Sequence, residues 1–115
     1  MKQHLTPEQF RAIPEAQRLE LAGWCAERRH YANSAYATTA ANLCREPHRM
    51  VLSIGVLLEY LHERGQEPYA LDKKDGWRVN IGAEAKDEGF LGFTAPDLID
   101  ALWAAVCAVL AQEAS

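Results

Sequence analysis

No stretch of uncharged apolar residues in this 115-residue chain approaches the roughly 20 needed to cross a bilayer; even the run ending at Ala111 falls short. The opening residues, Met1 to Glu8, hold one lysine with no apolar segment behind it, so a secretory leader is not expected. Cysteine is scarce. Cys25, Cys44 and Cys107 are an odd number with no close pair, which favours free, buried thiols in a reducing compartment over a disulfide. There is no P-loop, dinucleotide-binding glycine motif, nucleophile elbow or metalloprotease motif, no internal repeat and no low-complexity tract. These absences lead us to expect one domain spanning residues 1–115, cytoplasmic, away from membranes, with no catalytic residue, cofactor or metal.

What is present is ordinary for a globular chain: 49% hydrophobic and 24% charged residues. The formal net charge of −4 conceals an asymmetry. Residues 1–64 carry eight Lys or Arg against seven Asp or Glu, and all four histidines; residues 65–115 carry four against nine. A nucleic-acid binder shows a basic excess on its binding domain, so nucleic acid is not the expected partner.

Thr6-Pro7-Glu8-Gln9 reads as a helix start, with Thr6 as N-cap, Pro7 in the first helical position and Gln9 as the return partner of a capping box. Pro14 ends that helix and opens the next. From Glu15 onward Leu19, Ala22 and Ala26, with Leu21, Trp24 and Cys25, recur at helical spacing. We expect helix through most of 15–45, with an irregularity near Asn33 and the alanines of 35–41 tightly packed. Gly23, costly inside a helix, points to a close helix–helix approach. Glu46-Pro47 is a stop. Ser53 caps a further helix over 54–64, with Ile54, Leu57, Leu58 and Leu61 on one stripe and Gly65 as the residue after its end.

After Pro68 the period changes from 3.6 to 2. Tyr69 and Leu71, then Trp77, Val79 and Ile81, alternate with polar or small residues across a turn at Lys73-Lys74-Asp75-Gly76. A hairpin is marginal alone, so its apolar face is expected on helices. Phe90, Leu91 and Phe93 are read either as a short extra strand or as an anchoring aromatic pair. Thr94, with Asp97 completing a capping box, is expected to start the last helix. That helix has no polar side chain from Ala101 to Ala111 apart from the Trp103 indole N–H and the Cys107 thiol. Two readings remain open: it is the central core helix, or its Trp103, Val106 and Leu110 meet a second copy in a homodimer. The fold expected is α+β, mainly helical with three to four helices, and one β-hairpin around residues 69–81 packed on them.

The segments Ser53-Ile-Gly-Val-Leu-Leu-Glu-Tyr-Leu61, Gly76-Trp77-Arg78-Val79 and Asp97-Leu-Ile-Asp-Ala-Leu-Trp-Ala-Ala-Val106 carry a resemblance. Over about residues 52–110 the layout resembles small phage and prophage proteins of unknown function. The resemblance implies a bacterial host cell and a non-enzymatic accessory role, such as an anti-defence inhibitor that binds and blocks a host protein. It assigns no catalytic residue.

Two surfaces are candidates for such a contact. Glu84, Asp87, Glu88 and Asp100 would form an acidic surface that steers a basic partner. Arg28, Arg29, Arg45 and Arg49 with Tyr36 nearby would form a basic one, whose composition also fits a nucleotide or other small phosphate-bearing ligand. The plainer alternative for each is a solvated, locally paired helix or loop face. Cys25, His30, Cys44 and His48 are the right ligand types for zinc, but the spacing lacks a C-x₂-C pair and Pro47 interrupts the Cys44–His48 turn, so no metal is assigned to them.

Overall fold

The computed structural model describes residues 3–81 and 91–113. Among these, five α-helices, one 3₁₀ turn and a three-stranded antiparallel sheet make an α+β fold dominated by helix. In chain order these are α1 (Pro7–Arg11), α2 (Glu15–Arg28), α3 (Ala40–Arg45), the 3₁₀ turn (Pro47–Arg49), α4 (Ile54–Glu63), β1 (Tyr69–Lys73), β2 (Gly76–Ile81), β3 (Leu91–Ala95) and α5 (Leu98–Glu113).

Local signals decide several boundaries. The Thr6 hydroxyl accepts from the Gln9 N–H at 3.3 Å, while the Gln9 side-chain oxygen accepts from the Thr6 N–H at 3.1 Å, closing the capping box of α1. The Ser53 hydroxyl accepts from the Val56 N–H and starts α4. At the other end Gly65 takes φ +75, the Gln66 N–H reaches back to the Leu61 carbonyl and the Gly65 N–H to that of His62. This is the six-to-one and five-to-two closure that a left-handed residue permits.

The sheet has order β1-β2-β3, with Lys73 opposite Gly76 across a two-residue turn and Val79 between Ala70 and Phe93. Its centre is β2. Val79 and Ile81 are buried, and β2 and β3 lie against α5, whereas β1 leans mainly on β2. Asn80 breaks the alternation: it is 4% exposed, and its Oδ1 accepts from the Arg78 Nε at 3.0 Å.

Helix α5 is the hub, packed against α2, α4, β2 and β3. Ile99, Leu102, Ala105, Val106 and Leu110 have no exposed surface, and they join Phe10, Leu21, Leu43, Leu57, Tyr60 and Leu61 in one core. The residues expected to meet a second copy need a correction: Trp103, Val106 and Leu110 are covered by their own chain, while Ala104, Cys107 and Ala108 on the same helix are half-buried.

Three further expectations need correction. The helix expected over most of 15–45 stops at Arg28: Arg29 enters the left-handed region at φ 58, and residues 32–37 are exposed, so a helix there would have had no face to bury. The alanines at 35 and 37 are accordingly in solvent and not tightly packed. Thr94 lies in β3, paired with Arg78, and does not cap α5; Pro96 holds Ala95 extended, and the Asp97 carbonyl accepts the first helical bonds from Asp100 and Ala101. Of the three thiols, Cys25 alone is fully buried; Cys44 and Cys107 are partly exposed, and all three are free.

Candidate functional site

The chain between α2 and α3 forms a braced loop. After Arg29 it turns extended and is stitched to the segment following the 3₁₀ turn: the Val51 N–H donates to the His30 carbonyl and the Ala32 N–H to the Arg49 carbonyl, both at 2.8 Å. Tyr31 is drawn into the core at this seam, and its hydroxyl donates to the Tyr36 carbonyl at 2.9 Å. Arg29 Nη1 donates to the Ser34 carbonyl at 2.6 Å. Asn33 supplies the left-handed residue (φ 63) that lets its carbonyl accept from the Tyr36 N–H at 3.0 Å. These bonds fix the backbone at Tyr36 while its ring stands 76% exposed, the most exposed of the large hydrophobics described.

Below the loop, α2 and α4 are joined by long side chains and lack the close backbone packing that links α2 to α3. Arg28 Nε donates to both Glu63 carboxylate oxygens, at 3.1 and 3.0 Å, and Arg28 Nη2 adds a further contact. Arg64 Nη2 donates to Glu20 at 3.1 Å, and its guanidinium lies 4.8 Å from the Tyr60 ring centre. Trp24 meets Tyr60 edge to face at 5.2 Å and lies the same distance from the His30 ring, whose Nε2 is 2.7 Å from Glu59. The Arg28 hydrogen bond, above all, holds the Glu63 carboxyl below its ordinary value, with smaller help from the Trp24 indole N–H and Arg64. A cleft of about 350 Å³ runs along α2, lined by Leu19, Glu20, Gly23, Trp24, Glu27 and Arg28, with Arg64, just past the end of α4, at its edge.

The basic set is thus gathered only in part, and two of its four charges face carboxylates. Arg28 faces Glu63, Arg45 bonds Asn42, Arg49 is 3.9 Å from Glu46, and Arg29 braces the loop. On the acidic side, Glu84, Asp87 and Glu88 lie outside the described residues. Asp100 accepts from Gln9 Nε2 at 2.9 Å, tying α1 to α5. Burial pushes the Cys25 thiol up to about 12, with the Glu59 charge adding to it, and the Cys107 thiol up to about 11. Among the described residues no three His, Cys, Asp or Glu side chains are placed to share an ion.

Sequence reasoning did not find the cleft. The pairs Arg28–Glu63 and Glu20–Arg64 that border it span 35 and 44 positions, beyond the reach of any local periodicity. Gly23, read as a mark of close helix–helix approach, lies where α2 packs on α3: a Cβ there would stand 3.8 Å from the Ala40 Cβ. Comparison of the chain with protein-family models, curated proteins and solved structures returned no match.

Proposed function

We propose that this is a non-enzymatic interaction protein that binds and blocks another protein, with the loop bearing Tyr36 as its anchor. The observation that carries the reading is the combination at Tyr36: a large aromatic ring in solvent on a backbone held by its own hydrogen bonds. A rigid exposed tyrosine offers large contact area with little ordering cost, which is how interface hot spots and antibody loops gain affinity. Binding is favoured over catalysis by the pairwise matching of the charges on this face and by thiols held protonated at neutral pH. The phage resemblance makes a host protein, in a defence complex, the expected target.

The test is a pull-down from bacterial lysate with the wild-type protein beside Tyr36→Ala and Tyr31→Phe. A near-stoichiometric partner retained by wild type, lost from Tyr36→Ala and weakened in Tyr31→Phe supports the reading. Equal retention by all three folded proteins overturns it. A nucleotide-sequestering module is the second reading, and it has less behind it because Arg28 and Arg49 already face carboxylates. It predicts a thermal shift with nucleotides that Arg28→Ala or Arg49→Ala removes.

A further inference from the structure

We infer that β1 is an interface: its free edge pairs antiparallel with β1 of a second copy about a two-fold axis at Leu71, joining the two sheets into one. The inference goes beyond the Tyr36 reading and does not rest on it.

The first argument is the edge itself. Strand β1 stands at one end of the strand order, and among the described residues β2 is the one strand paired with it. Tyr69, Ala70, Asp72 and Lys73 are exposed and Leu71 is half-buried. Which backbone groups face outward follows from the register. Lys73 and Gly76 flank a two-residue turn and so form a hydrogen-bonded pair, a relation that Leu71 and Tyr69 repeat with Arg78 and Asn80. The N–H and C=O of Ala70 and Asp72 therefore point away from β2, out of the sheet. A row of such groups is a template for another strand.

The second argument is that β1 fits itself in one register. Its outward groups sit at even positions, so a second β1 must bring its own even positions opposite them. An axis at Ala70 sets Asp72 against Pro68, which has no N–H to donate. An axis at Asp72 sets two aspartates face to face. With the axis at Leu71, Ala70 of each copy meets Asp72 of the other, and each such pair exchanges both backbone bonds. On the other face of the strand Leu71 then lies beside Leu71 of the second copy, and the Tyr69 ring beside the ammonium group of its Lys73, one apolar and one cation–aromatic contact. Such pairing uses the same edge in both copies, so it closes at two.

The test is sedimentation velocity and ¹⁵N-detected amide exchange on the full chain from about 10 µM to about 1 mM, because a contact this small predicts a dissociation constant on the order of 100 µM. Monomer should pass to dimer over that range. The Ala70 and Asp72 amides should gain protection with it, whereas those of Leu71 and Lys73, already bonded to β2, should be protected throughout. Tyr69→Lys, which sets lysine against Lys73 of the second copy, should weaken the dimer about tenfold, and adding Lys73→Glu should restore it. That rescue is a readout that mere loosening of the strand would not give. Tyr36→Ala should leave the dimer unchanged, which separates this edge from the loop. A chain still monomeric at about 1 mM leaves the edge to some other occupant and overturns the inference. So does a dimer whose Ala70 and Asp72 amides exchange as they do in the monomer, or a double variant that associates no more tightly than Tyr69→Lys alone. Should Tyr69→Lys not fold, the amides of the wild-type chain decide it.

Discussion

The guanidinium of Arg28 on α2 closes on both carboxylate oxygens of Glu63 on α4, bridging two helices that lack close backbone packing. Because Glu63 ionises more readily in the folded chain than at its ordinary value of 4.5, its contribution to stability is complete above that pH. It is lost as the pH falls through the depressed folded value. Urea midpoints measured from pH 6 downward should therefore drop below about pH 4.5, and Glu63→Gln should flatten the fall. An unchanged slope in that variant would mean that the pair is not formed in solution.

Two glycines should respond in opposite directions. Gly76 takes φ +141, and a Cβ there would come within 2.5 Å of the Ala95 carbonyl oxygen, so Gly76→Ala should cost about 2 kcal/mol or more. Gly23→Ala meets no such obstacle and should stabilise by about 1 kcal/mol. Thermal unfolding of the two variants, run side by side, checks both signs.

Leu110 is fully buried among residues of its own chain. Leu110→Ala should cost about 3 kcal/mol, by the same amount at every protein concentration. A urea midpoint that rises with protein concentration in the wild type but not in the variant would restore a dimer contact at α5.

The cysteines should separate by accessibility and acidity. Alkylation of the native protein, followed by mass spectrometry, should label Cys44 first, Cys107 more slowly and Cys25 only on unfolding. With the folded Cys25 thiol near 12 and the ordinary value at 9.0, the unfolded chain gains by ionising first. Stability should therefore decline as the pH rises through that window.

The sequence by itself determined whatever is closed within a few residues: the Thr6–Gln9 capping box, the Ser53 cap, the left-handed Gly65 that ends α4, and the two-residue turn before Gly76. Each is a hydrogen bond or a backbone angle that a short peptide already favours. The lack of polar side chains along α5 likewise limited its place to full coverage, whether by its own chain or by a second copy.

Only the tertiary structure placed Trp103, Val106 and Leu110 inside their own chain, because that depends on how β2, β3, α2 and α4 converge on the helix. It also decided the end of α2, where Tyr31 gains more from the core and from the Met50 seam than residues 32–37 could gain from an exposed helix. Thr94 would serve equally as a helix cap or a strand residue; pairing with Arg78 on β2 settled the choice. The cleft belongs to the same class. Glu20, Glu63 and Arg64 carry no local mark of their partners, since ion pairs 35 and 44 positions apart arise only once the helices are docked.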